Sequence, residues 1–126
     1  MIAVLNRSPA VSDKGQVLTK ATIKAAERLG LSQKALGNVI GLSESVVSRM
    51  KSGDYVLGGG KPYELAALLV RLYRSLDAIV AGDEIAARAW MKNHNLALRG
   101  SPAELIQKIQ GLFHVVQYLD TRRAPV

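Results

Sequence analysis

Two short segments, each opened by a serine and joined through a glycine, constrain this chain more than any other feature of its sequence. Ser32 and Ser43 are predicted N-cap residues of helices over 33–40 and 44–51, because a serine hydroxyl can accept a hydrogen bond from first-turn N–H groups. Gly41 lies between the segments and can adopt the conformation that a tight turn needs. Two such helices, joined by a turn of about three or four residues, are typical of a helix-turn-helix.

The exposed face of the second predicted helix is polar and suits entry into the major groove of DNA. With Val47 and Met50 pointing to the core, the remaining side chains are mostly short, and Arg49 is the candidate for a two-bond contact with guanine. The preceding helix can place the amide of Gln33 and its own N-terminal N–H groups against a phosphate. We therefore predict DNA contacts at Gln33, Lys34, Ser43, Glu44, Ser45, Ser48, Arg49 and Lys51. The open alternative is an ordinary helical hairpin without a DNA partner.

The charge of the chain is unevenly distributed. The 126 residues carry a formal net charge of +7 at pH 7, with a pI near 10.0. Residues 1–62 hold nine basic and four acidic side chains, against eight and six in residues 63–126. A basic half joined to a nearly balanced half predicts a polyanion at one end and a different partner at the other. Solubility alone is the alternative explanation.

Composition excludes several classes of protein. There is no cysteine, which excludes a disulfide scaffold and any thiolate site, and two histidines are too few to indicate a metal site. We find no nucleophile–base pair or cofactor fingerprint, so we predict no enzyme activity, no cofactor and no metal. The longest apolar run, 65–70, is too short to cross a membrane, and the first ten residues lack the basic region of a signal peptide. We expect a bacterial cytoplasmic protein.

Glycine and proline divide the chain into helices, which predicts an all-α fold. Residues 1–13 are predicted to be a loose arm, and residues 14–61 the DNA-binding unit, whose first helix runs over 14–29 and ends at Gly30. The glycine triplet at 58–60 lacks the rest of a phosphate-binding motif. It is predicted to be a flexible connection.

The second unit, residues 62–126, begins with a long helix predicted over 62–80. This helix is too apolar for one face to be buried alone, so it lies in the core, in a dimer interface or in both. The candidate dimer residues are Leu65, Leu69, Leu72, Tyr73 and Leu76. The sequence alone does not decide between the core and the dimer interface.

Shorter elements follow the long helix. Asp83 is a predicted cap of a helix over 85–91, and residues 92–101 form a polar loop. Pro102 begins another helix, since proline is favoured in the first turn, and Gly111 is predicted to interrupt it. The chain then ends in a short basic tail.

The run LSQKALGNVIGLSESVVSRMKSG, residues 31–53, resembles the Xre/Cro-type helix-turn-helix of bacterial and phage repressors. The shared features are the Ser-Gln pair that opens one helix, Leu36 in its middle, the turn glycine, the serine cap and the closing glycine. Gly37 departs from the alanine usual in that family. A glycine costs about 1 kcal/mol of helix propensity there, but it keeps a close contact between the helices.

Residues 89–122 resemble the toxin-binding domain of the Xre/MbcA/ParS antitoxins. That pattern has a tryptophan ending a helix, an asparagine, a Leu-x-Gly-x-x-Pro-like loop, a later glycine, and an apolar stripe closing on a basic residue. Its counterparts here are Trp90, Asn95, Leu98, Gly100, Pro102, Leu105, Ile106, Gly111, Val115 or Val116, Leu119 and Arg122. Two features depart from it: His94 replaces a proline before Asn95, and the C-terminal end is basic rather than acidic.

The resemblance implies an antitoxin that neutralises a RES-type toxin, an ADP-ribosyltransferase-like enzyme that uses NAD, by covering its substrate cleft. It implies that the basic C-terminal tail can enter that cleft. The implied toxin contacts are Trp90, Asn95, Arg99, Gly100, Tyr118, Arg122 and Arg123. Trp90 is also explained as a core anchor, and Asn95 and Gly100 as residues that shape the loop.

The same resemblance implies repression of the protein's own operon. We expect a homodimer on a palindromic operator, because one short recognition helix reads few bases. Two alternatives stay open. One is a stand-alone repressor whose C-terminal half only dimerises or senses a ligand, and the other is an interaction protein that has lost DNA binding.

Overall fold

The computed structural model describes residues 9–123, and their regular structure is helical, which confirms the all-α prediction. The only extended pairing in this part of the chain is a single bridge between Asn95 and Gly100. In chain order the helices are α1 (Pro9–Leu29), α2 (Gln33–Ile40), α3 (Glu44–Ser52), α4 (Gly60–Ile79), α5 (Glu84–Lys92), α6 (Pro102–Leu105) and α7 (Ile109–Arg123).

Local capping determines where α2, α3 and α5 begin. The Ser32 hydroxyl accepts a hydrogen bond from the Ala35 N–H at 3.1 Å, and the Ser43 hydroxyl accepts one from Val46 at 3.2 Å. The Asp83 carboxylate does the same for α5 at 3.1 Å. Gly41 closes α2 with a φ of 77°, a left-handed conformation that glycine adopts without steric cost. The predicted helix-turn-helix is confirmed in this geometry.

The boundaries of the outer helices differ from the prediction. α1 begins at Pro9 rather than at residue 14, so residues 9–13 are helical and not part of a loose arm. The rest of the predicted arm, residues 1–8, lies outside the described residues. α7 continues through Arg123, so 121–123 are helical rather than a tail, and residues 124–126 lie outside the described part.

The break between α6 and α7 lies before Gly111 and not at it. Helix α6 ends at Leu105 and α7 begins at Ile109, which places Gly111 inside α7. A Cβ atom at Gly111 would lie 1.9 Å from the Leu105 carbonyl oxygen. The glycine is therefore needed for the close approach of two backbone segments, and not for ending a helix.

Helix α4 lies at the centre of one continuous core. Leu69 and Leu72 are 0% exposed and Leu76 is 1% exposed within the single chain. The core explanation therefore holds for these three residues, and within the single chain they present almost no surface to a partner. Leu65 and Tyr73 are partly buried against the same core. The facing side of α7 supplies Leu112, Val115, Val116 and Leu119.

A polar cluster joins the C-terminal end of α7 to α4. The Asp120 carboxylate forms an ion pair with Arg71 and accepts a hydrogen bond from the buried Ser75 hydroxyl at 2.9 Å. The Arg123 guanidinium donates to the same hydroxyl oxygen at 3.4 Å. These contacts hold the last turn of α7 against α4.

The segment between α3 and α4 is attached to α1 at one point. The Thr19 hydroxyl, which is buried, donates to the Gly15 carbonyl at 2.7 Å and accepts from the Leu57 N–H at 2.9 Å. A Cβ atom at Gly15 would lie 2.5 Å from the Leu57 carbonyl oxygen, so the contact requires a glycine. Gly58 and Gly59 have no neighbouring atom within 4 Å of a built Cβ. Close packing of this segment on α1 therefore ends before Gly58.

We expect Gly111→Ala to destabilise the protein by about 2–4 kcal/mol, because a methyl group there overlaps the Leu105 carbonyl and forces α6 and α7 apart. Gly58→Ala is the matched control, and its free energy of unfolding should stay within about 1 kcal/mol of wild type. Urea denaturation followed by circular dichroism measures both. Equal stabilities of the two variants would contradict the proposed role of Gly111.

Candidate DNA-binding and partner-binding surfaces

Helix α3 presents a polar face to solvent. Val47 and Met50 are buried at 1% and 4% exposure, while Ser45, Ser48 and Arg49 are exposed at positions i, i+3 and i+4. Residues at this spacing lie on one side of a helix. The predicted recognition stripe is therefore a single continuous surface, opposite to the side that packs on the core.

Tyr55 holds the central arginine of this surface, a role that the sequence analysis missed. The Arg49 guanidinium lies 5.5 Å from the centroid of the Tyr55 ring, within the range of a cation–π contact. Because this contact limits the rotamers of Arg49, its guanidinium is already partly ordered in the free protein. An aromatic residue shortly after the helix-ending glycine was the available sequence signal.

The predicted phosphate contacts lie at the edges of the same surface. Gln33 and Lys51 line one small cavity between α2 and α3, and Lys34 is exposed on the first turn of α2. Ser43 and Ser45 lie with their hydroxyl oxygens 3.1 Å apart. Glu44, another of the predicted DNA contacts, is exposed in the first turn of α3.

Gly37 permits a close contact, but with the turn and not with the following helix as expected. A Cβ atom at this position would lie 2.5 Å from the Leu42 carbonyl oxygen in the turn between α2 and α3. The contact partner is thus the turn backbone that leads into the recognition helix. Glycine lowers the helix propensity at this position, but its missing side chain leaves room for the turn backbone.

A compact loop between α5 and α6 contains three of the predicted partner contacts. The Asn95 N–H donates to the Gly100 carbonyl at 2.9 Å, and the Asn95 side-chain oxygen accepts from the Leu98 N–H at 3.0 Å. Arg99 adopts a left-handed φ of 64°, unusual for a residue other than glycine. Asn95 and Gly100 therefore shape the backbone of the loop, and Arg99 is exposed at its tip.

Trp90, Tyr118 and Arg122 form a stack between α5 and α7. The Trp90 and Tyr118 rings have centroids 6.2 Å apart and planes inclined by 24°. The Arg122 guanidinium lies 3.6 Å from the Tyr118 centroid. Trp90 is partly buried against the core, so it is a packing residue that also retains an accessible part.

The predicted partner residues fall on two sides of α7. Residues 111, 114, 118 and 122 recur at intervals of three or four and so share one side. Arg99 and Leu98 line a cavity with Gly111 and His114 on this side. Arg123 lies apart, next to Ser75 of α4. The structure thus groups the loop with the aromatic stack and separates Arg123 from them.

Most of the exposed large apolar side chains are also in the C-terminal half, and the sequence analysis did not assign them to a site. Ile85 is 83% exposed, Leu96 87%, Ile109 67% and Phe113 51%. Ile109 and Phe113 lie one turn apart on α7. Where exposed apolar side chains lie next to one another, they mark binding sites in folded proteins. The signal in the sequence was Leu96, which with Ala97 and Leu98 interrupts a largely polar loop.

Polar contacts connect the two halves of the molecule. The Asn38 amide of α2 donates to the Gln107 side-chain oxygen at 2.8 Å, within the break between α6 and α7. The Arg88 guanidinium of α5 donates to the Glu27 carbonyl of α1 at 2.6 Å. The helix that precedes the recognition helix is therefore in direct contact with the C-terminal half.

Within residues 9–123, no cluster of three or more histidine and acidic side chains could hold a metal ion. In the same part of the chain, none of the helices has the length and apolar character needed to cross a membrane.

The fold and its surfaces define a helix-turn-helix DNA-binding domain joined to a helical partner-binding domain. Comparison with protein families agrees with this division. The antitoxin Xre-like helix-turn-helix domain matches residues 9–71, and the antitoxin Xre/MbcA/ParS C-terminal toxin-binding domain matches residues 75–124. The chain belongs to the Xre-like antitoxin family, with DNA and a toxin as the kinds of partner that these domains bind. A search of curated proteins found no match.

We expect Arg49→Ala to weaken binding to the preferred DNA sequence by about 1–3 kcal/mol and to relax the preference at one base pair. Lys51→Ala should weaken binding to all sequences alike and reduce the salt slope by about 1, because it removes a phosphate contact. Selection of wild-type and variant binding sites from a random duplex pool, followed by anisotropy at several salt concentrations, measures both effects. Lys92→Ala, on α5, is the control. An unchanged site preference for Arg49→Ala would show that α3 is oriented differently.

Proposed function

We propose that this antitoxin neutralises a RES-type toxin, an ADP-ribosyltransferase-like enzyme that uses NAD, and represses the operon encoding both proteins. The observation that carries the proposal is the set of exposed apolar side chains inside the toxin-binding domain, at Leu96, Ile109 and Phe113. Burial of this surface by a partner removes apolar area from water, at about 25 cal/mol per Å². Neutralisation by coverage requires no chemistry from the antitoxin.

The proposed mode of neutralisation is occlusion of the substrate cleft. Arg122 supports this mode, since its guanidinium is exposed and is stacked on Tyr118 at the end of α7. A cleft that binds the anionic cofactor NAD, and that contains acidic groups, attracts such a cation. Arg123 is engaged by Ser75 and is assigned a structural role in holding α7.

DNA repression is proposed to require a homodimer. Two recognition helices about 34 Å apart match successive major grooves of a palindromic operator, whereas α3 alone contacts few bases. Since Leu69, Leu72 and Leu76 are buried in the chain's own core, the dimer must use a different surface. Contact between α2 and Gln107 supplies a direct connection between the DNA-binding and toxin-binding domains.

The first experiment is co-expression of the tagged chain with the product of the adjacent open reading frame, followed by purification and mass measurement. A stable complex is expected, with a partner that stops growth when expressed alone. Ile109→Ser combined with Phe113→Ser should weaken this complex at least about tenfold, because two exposed apolar anchors are lost. Val56→Ser, which changes a 42% exposed valine outside the toxin-binding domain, is the control. A neighbour without toxicity and without binding would leave a stand-alone repressor.

Occlusion of the cleft is tested separately from binding. Arg122→Ala together with deletion of residues 124–126 should leave the complex intact but restore measurable NAD consumption by the toxin. Deletion from residue 120 is unsuitable, because it also removes the Asp120 contacts that hold α7 to α4. Toxin that is fully inhibited by the shortened variant would show that coverage elsewhere, and not the end of α7, blocks the reaction.

A further inference from the structure

A groove between α1 and α4 lies outside the surfaces assigned to DNA and toxin. It has a volume of about 650 Å³. Its apolar floor consists of Val17, Leu18 and Ala21 of α1 together with Ala67 and Val70 of α4. Val17 is 67% exposed, so an apolar side chain of the groove is open to solvent in the single chain.

The rim of the groove is strongly cationic. Lys14, Arg71, Arg74 and Arg123 line it, with Asp13 as the one acidic residue in the lining. Arg71 is paired with Asp120, and among the described residues no ion pair is formed by Lys14 or Arg74. An apolar floor with a positive rim is complementary to a ligand that has one apolar and one acidic face.

The dimensions of the groove match a helical segment. Its lining extends over residues 13–21 of α1 and 63–74 of α4, which at 1.5 Å per residue corresponds to lengths of about 12 Å and about 17 Å. An amphipathic helix of about three turns can place its apolar side in such a groove, with contacts at i, i+3, i+4 and i+7.

The charge argues against two other occupants. A second copy related by a two-fold axis would bring the same cationic rims together, which costs free energy through like-charge repulsion. The first eight residues of the chain, MIAVLNRS, contain an arginine and no acidic residue, so they do not complement the rim either. A nucleic acid matches the charge but leaves the apolar floor unfilled.

We propose that this groove is a docking site for an acidic amphipathic helix of a protein partner, at a place distinct from the apolar toxin-binding surface around Leu96 and Phe113. Its location gives the site a second property. The floor belongs to helices α1 and α4 of the DNA-binding domain, whereas Arg123 at the rim lies at the end of the toxin-binding domain. A helix bound there contacts both domains at once.

The test uses a synthetic helical peptide of about 15 residues, long enough to form a helix, with leucine on one face and glutamate on the other. Two matched peptides carry lysine in place of glutamate, or serine in place of leucine. The full-length protein should bind the Glu/Leu peptide with an affinity that falls as salt rises, and should bind neither matched peptide. Fluorescence anisotropy with labelled peptides measures the binding.

Variants of the protein assign the binding to the groove. Arg74→Glu and Val17→Ser should each weaken binding of the Glu/Leu peptide by about tenfold, through charge and apolar contact respectively. Lys92→Glu produces the same change in net charge outside the groove and should alter binding by less than about twofold. If Arg74→Glu impairs folding, Arg74→Gln tests the same charge.

Three results would overturn the proposal. The first is absence of binding by the Glu/Leu peptide, or binding that Arg74→Glu and Val17→Ser leave unchanged. The second is a homodimer in sedimentation velocity that Val17→Ser dissociates, which would assign the groove to a second copy. The third is loss of duplex DNA binding in Arg74→Glu but not in Lys92→Glu. None of these results bears on co-purification with the toxin, so the proposed function is tested independently.

Discussion

The burial of α4 between α1 and α7 is the interaction on which the rest of the molecule depends. Leu69 and Leu72 are fully buried, and each contributes about 1.5–3 kcal/mol by the usual value for a leucine removed from water. The helix spans the boundary between the two family domains, which match residues 9–71 and 75–124. One core therefore serves both domains. The DNA-binding surface and the toxin-binding surface both depend on it for their structure.

Local signals in the sequence were sufficient for the helix-turn-helix. Ser32, Ser43 and Asp83 each cap the helix predicted for them, since the relevant hydrogen bonds connect residues only three positions apart. Gly41 is in the left-handed conformation that its place in the turn required. Because burial on α3 follows from its helical period, the exposed stripe around Arg49 could also be predicted. The DNA contacts of the individual residues in this stripe stay predictions.

Features that depend on distant parts of the chain could not be predicted in the same way. A glycine can end a helix or admit a close neighbour, and only the position of the Leu105 carbonyl decides for Gly111. An apolar stripe on α4 fits a core as well as a dimer seam until α7 is placed beside it. Adjacency in the sequence places Arg123 with Arg122 among the predicted toxin contacts. Neighbouring residues on a helix point about 100° apart, however. Arg122 therefore stacks on Tyr118, whereas Arg123 reaches Ser75.

The hydrogen bond between the Thr19 hydroxyl and the Leu57 N–H fixes the chain that follows the recognition helix to α1. Helix α4 begins at Gly60, so only Gly58 and Gly59 separate this attachment from the central helix, and a side chain at either glycine would meet open space. These two exposed glycines are therefore a place in the chain where extra residues can be inserted at low cost, because the packed helices on either side would stay in place.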